Sequence, residues 1–438
     1  MNLLKRIVAV LAILSAVLIS SGPSFADTDT TQSVIIRWYG LINGLVRHTP
    51  TYSPPVAARA FGYLGVMSYE AVASGSDHLQ TLAGQLNGLK PLPKREAGKE
   101  YNNDVVLNAA MAAFTPVFFE NTGPSGQNAM GALATEMTAK VSTGVAPDVV
   151  ERSTAYGKAI ADAIIAWSKN DGGAVIKNMG FTENYKIKVG PQYWVPTNQQ
   201  ALQQHPLLPN WGNNRTFAIP KISACVLSAP LPYSEDKSSA FYKEAYEVYD
   251  VGIHLTPDQK AIATFWSDDP LLTLTPAGHG MSIALQILER DNVDLEKTVD
   301  VLARLGVAQA DAMIGAWHAK YLYSLLRPVT YIQRHIDKKW DAYLITPPFP
   351  DYLSGHSVQS GSLDVVMTKE FGDNFAFVDK TGEADNLPAR SFSSFDAAAH
   401  EAAISRLYGG IHYRSAIERG VLYGKCIGEY TNALKTRR

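Results

Sequence analysis

The first residues with a spacing suited to chemistry are two cations in the C-terminal third of the chain. Lys320 and Arg327 are seven residues apart, and Pro328 follows directly. Residues seven apart lie two turns apart on one face of an α-helix, so we expect both side chains to reach a single anion. Pro328 is expected to end that helix.

A Ser-Gly-His step forms the second group. Ser354, Gly355 and His356 precede a stretch with helical periodicity. A helix N-terminus presents unpaired N–H groups and the positive end of the helix dipole, which favour a bound anion. Gly355 allows the backbone to approach a ligand closely. The pattern therefore predicts an anion-binding turn with a histidine beside it.

The third group consists of Arg406 and His412. Gly409 and Gly410 lie between them and are expected to break the helix, which would let the two side chains converge. Together, the three groups predict a site for a tetrahedral oxyanion. Each side chain alone could be a solvated cation or an ordinary histidine at a helix end, but their joint spacing favours the site.

A buried Arg406 would need a counter-charge, because an unpaired buried cation costs several kcal/mol. Asp268 and Asp269 are the candidates, and a solvated turn before Pro270 is the alternative. The charged run over residues 390–401 is predicted to be a solvated connection.

The remaining histidines and the cysteines carry no clear catalytic pattern. His279 and His318 are predicted to be ordinary core or surface residues, since neither has a close ligand partner in the sequence. Cys225 and Cys426 could pair in an oxidising compartment or remain buried thiols. Two cysteines cannot form a disulfide framework or a cysteine-only metal site.

Composition and missing motifs exclude several function classes. The chain has 438 residues, with 39 Lys+Arg against 41 Asp+Glu, so nucleic-acid binding is not expected as its main role. It contains no Walker loop, no Gly-x-Gly-x-x-Gly after a strand, no His-Glu-x-x-His and no Gly-x-Ser-x-Gly.

The elements that would position the site are predicted to be helices. Apolar residues recur at helical spacing after Pro54-Pro55, and further helical patterns follow along the chain. They cover residues 102–118, 128–141, 147–169, 238–251, 257–266, 278–289, 295–326, 355–371, a segment ending near Arg406, and 413–435. Residues 181–233 are rich in Pro, Asn and Gln, and predict a long connection with at most one short strand. We therefore expect an all-α fold in two halves, 27–233 including the connection and 234–438 carrying the site.

The N-terminus has the pattern of a secretory signal peptide. Lys5 and Arg6 precede an apolar stretch over residues 7–20, and Ser24-Phe25-Ala26 resembles a cleavage site. We expect residues 1–26 to be removed and the mature chain to be secreted or periplasmic, without stable membrane association. An uncleaved anchor is the alternative.

The three groups resemble the signature of the superfamily of vanadium-dependent haloperoxidases and type-2 phosphatidic acid phosphatases. That signature is Lys-x₆-Arg-Pro, Pro-Ser-Gly-His and Ser-Arg-x₅-His; here Leu353 replaces the proline. In the phosphatases an Asp four residues after the last histidine orients a histidine nucleophile, and Ala416 occupies that position. Trp317 and Phe349 are similar to the aromatic pocket wall of the haloperoxidases. The run over residues 405–416 is similar to secreted bacterial members, including iodoperoxidases.

The resemblance implies a fold of two four-helix bundles and a vanadate cofactor. His412 would be the axial ligand of vanadium, and His356 the acid–base group that deprotonates hydrogen peroxide. Lys320 would also polarise the bound peroxide, and Trp317 and Phe349 would line the halide pocket. The groups that hold the anion's oxygens would be cations and hydrogen-bond donors: Lys320, Arg327, Ser354, Gly355 and Arg406.

The implied activity is oxidation of halide by hydrogen peroxide to hypohalous acid, which halogenates a small organic acceptor. Iodide and bromide are favoured over chloride, and phosphate is expected to compete with vanadate. An acid phosphatase on the same scaffold is the alternative. A non-catalytic oxyanion-binding protein is a third possibility, which His356 and His412 disfavour because binding alone would not need both.

Overall fold

The computed structural model describes residues 30–197 and 204–438, so the predicted signal peptide lies outside the described residues. The described chain forms thirteen α-helices and one two-stranded sheet, which confirms the all-α class. The helices are α1 (Thr30–Arg47), α2 (Pro54–Ala73), α3 (Asn103–Phe118), α4 (Gly123–Ser142), α5 (Pro147–Ser168), α6 (Ala240–Ile253), α7 (Pro257–Phe265), α8 (Thr275–Arg290), α9 (Leu295–Tyr323), α10 (Pro328–His335), α11 (Gly355–Phe371), α12 (Phe395–Tyr408) and α13 (Arg414–Asn432). The strands are β1 (Phe377–Asp379) and β2 (Arg390–Phe392).

Helix α9 is the longest, with 29 residues, and lies at the centre of the molecule. It packs against α2 on one side and against α11 and α13 on another, while α3 packs against α4 and α5. The two helical halves are thus joined through α9. The proposed division at residue 233 falls between α5 and α6 and remains a prediction.

Close helix contact in the C-terminal half depends on small residues. A Cβ atom on Gly424 would collide with the carbonyl oxygen of Val358, so α13 can approach α11 closely only because Gly424 has no side chain. This packing places the N-terminus of α11 beside the segment that leads into α13. Both segments contribute to the site.

The prediction that Lys320 and Arg327 share one helix is wrong. Helix α9 ends at Tyr323, because Ser324 adopts a left-handed conformation with φ of 51° and caps the helix. Leu325 then pairs with Tyr193 in an isolated β-bridge. Pro328 begins α10 and does not itself end α9.

The long connection between the halves lacks regular strands in its described parts, 181–197 and 204–233. It contains only three-residue turns of 3₁₀-helix and isolated bridges, and no strand forms over residues 185–189. Cys225 forms a disulfide with Cys426, so the connection is attached covalently to α13. The alternative of two buried thiols is therefore excluded.

The sheet lies in a region that sequence analysis described incorrectly. Strands β1 and β2 pair antiparallel, with Asp379 opposite Arg390. Arg390 donates hydrogen bonds of 2.6 and 2.7 Å to the carboxylate of Glu401, so residues 390–401 are not a solvated connection. Three-residue strands are too short to produce a recognisable alternation. Within the described ranges, no helix is both long enough and apolar enough to cross a membrane.

Candidate functional site

Lys320 lies in the last turn of α9 and is completely buried. Its Nζ donates to the backbone carbonyls of Pro350, Asp351 and Leu353 at 3.1, 2.9 and 2.5 Å. Burial, and then the neighbouring Arg327, hold the pKa of Lys320 well below its ordinary value, while Asp351 opposes them. The ammonium group is therefore tied to the loop that leads into α11.

Arg327 precedes α10 and is also fully buried. Its Nε donates to the carbonyl of Phe349 at 2.8 Å, and its Nη1 donates to the carbonyl of Ile411 at 2.8 Å. The same Nη1 lies 3.1 Å from Nε2 of His412. Burial lowers the pKa of Arg327 to about 10, so the guanidinium remains charged at neutral pH.

Arg406 lies in the last turn of α12 and is 1% exposed. Its Nη1 donates to the carbonyl of Trp266 at 2.5 Å and lies 2.8 Å from Nε2 of His356. Burial lowers the pKa of Arg406 to about 10, and Asp268 and Asp269 act in the opposite direction. The predicted counter-charges are therefore present. Among the described residues, however, neither carboxylate forms a direct ion pair with Arg406.

Ser354 and Gly355 form the N-terminus of α11, as predicted. Ser354 is the N-cap, and its Oγ accepts hydrogen bonds from the backbone N–H of Ser357 at 3.3 Å and from the Ser357 hydroxyl at 2.9 Å. A Cβ atom on Gly355 would lie 3.8 Å from the ring of Trp317. A Cβ would fit there in ordinary van der Waals contact, so only a larger side chain would fill the space between the helix N-terminus and this ring.

His356 follows in the first turn of α11, and its side chain is 17% exposed. Its Nε2 lies 2.8 Å from Nη1 of Arg406 and 3.1 Å from Oδ2 of Asp268. Burial and the charge of Arg406 lower the pKa of His356 to about 4, although Asp268 acts in the opposite direction. At neutral pH the imidazole is therefore neutral and able to accept a proton.

His412 lies beyond the break at Gly410, whose φ is 74°. Its Nδ1 is 2.9 Å from Oδ1 of Asp351, although the two groups do not have hydrogen-bond geometry. Burial and three neighbouring cations hold the pKa of His412 well below its ordinary value. Because the N–H of Arg327 points at Nε2, that nitrogen carries the lone pair and Nδ1 carries the proton.

Asp351 is a site residue that sequence analysis missed. Its side chain is fully buried, and burial raises its pKa to about 7 against the opposing charges of Arg327 and Lys320. Ala416, at the position where the phosphatases carry an aspartate, contributes its backbone carbonyl, which accepts the N–H of Ser354. A lone acidic residue in the apolar, proline-rich run 347–353 was the available signal.

Trp317 and Phe349 lie beside Lys320 and contact each other, and their role as a halide pocket stays a prediction. Their ring centroids are 4.9 Å apart. Nζ of Lys320 lies 5.0 Å from the centroid of Phe349 and 6.0 Å from that of Trp317. The indole N–H of Trp317 donates to the carbonyl of Leu207 at 3.2 Å, which fixes the ring against the long connection.

The arrangement fits an oxyanion because several buried donors point to no protein acceptor. Nη2 of Arg327 and both Nε and Nη2 of Arg406 lack hydrogen-bond partners among the described residues. Buried donors are rarely left unsatisfied, since each costs about 1–3 kcal/mol. The two guanidinium groups and the N-terminus of α11 offer hydrogen-bond donors to the oxygens of vanadate or phosphate. The neutral imidazole of His412 offers a lone pair on Nε2.

A second group of polar residues lies behind the site and was also missed. His279 is buried and contacts Asp268 and Asp379 at 2.8 Å each, so it is not an ordinary core histidine. Because Asp268 and Asp379 are 11 and 100 positions away from His279 in the sequence, no local pattern indicated these contacts. His318, the other histidine set aside, is half-buried, and burial lowers its pKa.

Comparison with known proteins agrees with this geometry. Residues 300–437 match the family model described as the VCPO second helical-bundle domain. The crystal structure titled as the first bacterial vanadium-dependent iodoperoxidase is 37% identical, with a TM-score of 0.84 over 94% of this chain and 98% of that chain. This chain belongs to the vanadium-dependent haloperoxidases. The resemblance, the peroxidase class and the vanadate cofactor expected from the sequence are confirmed.

More distant haloperoxidases share the fold. A holo structure and an apo structure of a bacterial vanadium-dependent chloroperoxidase are each 16% identical, with TM-scores of 0.67 and 0.65. They cover 88% and 87% of this chain, and 92% and 93% of their own chains. A search of curated proteins found no match.

Proposed function

We propose that this haloperoxidase oxidises iodide and bromide in preference to chloride, using hydrogen peroxide and releasing hypohalous acid to a small organic acceptor. The supporting observation is its similarity to the bacterial iodoperoxidase, at 37% identity over nearly the whole chain, against 16% for the chloroperoxidase.

The positively charged side chains and the N-terminus of α11 would hold the oxygens of vanadate. The free N–H groups of Arg327 and Arg406 support this assignment, because they are buried donors that an oxyanion would satisfy. Lys320 adds a third charge from the end of α9. The complete set is Lys320, Arg327, Ser354, Gly355 and Arg406.

His412 is the metal ligand in this proposal. Its Nε2 faces the guanidinium groups, while Nδ1 faces the carboxylate of Asp351. A carboxylate behind a metal-binding histidine fixes the tautomer and makes the ligating nitrogen more basic. Asp351 faces Nδ1 at 2.9 Å without a formed hydrogen bond, and in its ionised form it would favour the tautomer that keeps the lone pair of His412 on Nε2.

Vanadate, when bound, supplies a Lewis acid that activates hydrogen peroxide without changing oxidation state. His356 is the group that accepts the proton of the incoming peroxide. Its Nδ1 has no hydrogen-bond partner among the described residues, while Nε2 contacts Arg406 and Asp268. The Nδ1 lone pair is available when the proton of the neutral ring resides on Nε2.

Trp317, Phe349 and Lys320 shape the side of the site where halide reacts. The two aromatic rings are buried and exclude water. The ammonium group of Lys320 lies 5.0 Å from the centroid of the Phe349 ring and is held by three backbone carbonyls. A charge held in a dry site acts more strongly than one in water. Because all three N–H groups of Lys320 already donate to carbonyls, it would act on the oxyanion and on peroxide through its nearby charge, or by exchanging one of these carbonyls for an oxyanion oxygen.

A halide series tests the proposed preference. Initial rates of iodide, bromide and chloride oxidation are measured with saturating vanadate and hydrogen peroxide. We expect kcat/KM to be highest for iodide, then bromide, and lowest for chloride, and we expect added phosphate to slow all three by competing with vanadate. Equal or faster oxidation of chloride would overturn the preference.

A phosphatase activity of the vanadate-free protein is the second candidate. The favouring observation is Asp351, which lies 2.9 Å from Nδ1 of His412 and could orient this histidine as a nucleophile even though Ala416 replaces the usual aspartate. Hydrolysis of a chromogenic phosphate ester tests it, with His412→Ala as the control. Phosphate-ester turnover in a protein that shows no halide oxidation would make phosphatase the main function.

We further propose that residues 1–26 are removed on export and that the mature chain is secreted or periplasmic. The disulfide between Cys225 and Cys426 supports this, because disulfides persist mainly in oxidising compartments. N-terminal sequencing of the native protein from the medium or the periplasm should give Asp27 as the first residue. Retention of Lys5 and Arg6 in the native protein would contradict it.

A further inference from the structure

A buried row of four side chains extends from His356 into the protein. Oδ2 of Asp268 lies 3.1 Å from Nε2 of His356, and its Oδ1 lies 2.8 Å from Nδ1 of His279. Nε2 of His279 lies 2.8 Å from Oδ2 of Asp379. Asp268, His279 and Asp379 are at most 4% exposed. We refer to these three residues as the His279 clamp.

The clamp joins three separate elements behind the site. Asp268 lies in the loop after α7, His279 on α8 and Asp379 at the end of β1. The other oxygen of Asp379 accepts the backbone N–H of Thr381 at 2.9 Å. The ring of Trp266 stacks on His279 with centroids 4.5 Å apart and an interplanar angle of 16°. The imidazole is therefore held both by two carboxylates and by an aromatic face.

The electrostatic state of the clamp follows from its contacts. Burial alone would lower the pKa of His279, but Asp268 and Asp379 outweigh it and raise that pKa above its ordinary value. The pKa of Asp268 is lowered despite burial, because His279 and His356 stabilise its ionised form. The clamp therefore consists of the imidazolium of His279 in contact with the carboxylates of Asp268 and Asp379.

Arg406 and Asp268 compete for Nε2 of His356. Nε2 of His356 has two neighbours with opposite demands: Nη1 of Arg406 is a donor, and Oδ2 of Asp268 is an acceptor. With a proton on Nε2 the ring donates to Asp268, and Nδ1 keeps its lone pair. Without that proton, Nε2 accepts from Arg406, and Nδ1 is protonated and cannot act as a base.

We propose that His279 and Asp379 are positioning residues for His356: they hold the ionised carboxylate of Asp268 against Nε2, where it competes with the N–H of Arg406 and favours the tautomer that leaves Nδ1 as the proton acceptor. This inference rests on the proposed role of His356. His279 contributes its charge and its hydrogen bond, and it does not touch the reacting atoms.

Several charged groups face His356 and must be considered together. They are Asp268 from the loop after α7, His279 from α8, Arg406 from α12 and His412 from the loop before α13, while Asp269 acts on Arg406. The positive charge of His279 disfavours a second proton on His356, whereas the negative charge of Asp379, farther along the row, partly offsets that effect. Changing these two residues one at a time should therefore move the titration of His356 in opposite directions.

The experiment compares His279→Gln with Asp379→Asn. Histidine side-chain NMR of the vanadate-free protein gives the titration midpoint of His356, whose signal is identified by its loss in His356→Ala. We expect His279→Gln to raise the midpoint and Asp379→Asn to lower it, each by about one pH unit for a single charge removed nearby. The acid limb of the pH profile for halide oxidation should shift in the same directions. Shifts in the same direction for both variants, or no shift in folded variants, would overturn the proposal.

Asp364→Asn is the matched control. Asp364 is another buried carboxylate on α11, paired with Lys425 at 2.9 Å, and it lies outside the row. The Asp364→Asn substitution should lower the stability of the protein without moving the titration midpoint of His356. If His279→Gln does not fold, the double variant His279→Gln/Asp379→Asn is used, which removes both charges. Its midpoint for His356 should still shift upward, because His279 is nearer to His356 than Asp379 is. An unchanged midpoint would refute the inference.

The NMR measurement needs neither vanadate nor peroxide. Failure of the proposed function would appear as no halide oxidation in the parent protein, and failure of the role of His356 as parent-level halide oxidation in His356→Ala. Failure of the clamp would appear as an unmoved His356 titration in the clamp variants. These failures are therefore distinguishable.

Discussion

Arg406→Lys tests whether the geometry of a guanidinium group, beyond its charge, holds the oxyanion. Arg406 is 1% exposed, and two of its nitrogens, Nε and Nη2, have no partner among the described residues. Nη1 is already engaged by the carbonyl of Trp266. A lysine at this position keeps the positive charge but cannot present the two free N–H groups together.

The expected loss can be worked out from these two donors. A hydrogen bond to a charged group contributes about 1.5–3 kcal/mol, so losing two corresponds to about 3–6 kcal/mol. At 1.4 kcal/mol per factor of ten, the Kd for vanadate should rise by roughly two to four orders of magnitude. The retained ammonium group recovers part of this loss, so we expect the increase to be near the lower end, at about 100-fold.

Vanadate binding to the vanadate-free protein is measured by calorimetry, and halide oxidation is titrated with vanadate on the same sample. Arg304→Lys is the matched control. Arg304 is also a buried arginine, 5% exposed, but protein groups occupy its guanidinium: Asp300, the carbonyls of Thr431 and Leu434, and the hydroxyl of Thr436. The Arg304→Lys substitution should lower the melting temperature and leave the Kd for vanadate unchanged. A Kd for Arg406→Lys within about threefold of the parent protein would refute the reasoning, since that equals less than one charged hydrogen bond.

Four further outcomes are expected. His412→Ala should abolish vanadate-dependent halide oxidation at low vanadate, because the protein loses its only proposed bond to the metal; parent-level activity there would refute the assignment. His356→Ala should still bind vanadate in calorimetry, while turnover falls by roughly two to four orders of magnitude, the usual effect of losing a general acid–base group. In the vanadate-free parent, His356 should take up its proton near pH 4, and a bound oxyanion should move this midpoint upward, so halide oxidation should decline on the acidic side. Reducing the disulfide between Cys225 and Cys426 should lower the free energy of unfolding by about 2–5 kcal/mol in denaturant titrations, and an unchanged value would show that the long connection is held by packing alone.

The helices and the chemically active residues could be predicted from local sequence. The N-terminus of α11 follows from Ser354 as N-cap and Gly355 as first residue, and the observed helix coincides with the predicted range 355–371. The helix break between Arg406 and His412 follows from Gly409 and Gly410, of which Gly410 adopts a φ of 74°. These features depend on backbone preferences and apolar periodicity within a few turns, which neighbouring residues express directly.

The end of α9 was not predictable from the same signals. The apolar pattern continues through Leu325 and Leu326, but Ser324 adopts a left-handed conformation and Leu325 pairs with Tyr193 from the long connection. Arg327 therefore reaches the site from an extended segment and not from a helix face. A contact with a residue more than 130 positions away in the sequence decides where this helix ends, and no local pattern records it.

The groups that tune the two histidines were decided by tertiary structure alone. Asp351 reaches His412 because the loop before α11 folds against the segment before α13, and His279 meets Asp379 because the short sheet packs beside α8. The sequence by itself determined which side chains could bind an oxyanion and accept a proton. Only the folded chain decided their burial and their charged neighbours, because pKa values and hydrogen-bond partners depend on distances between segments that are remote in sequence.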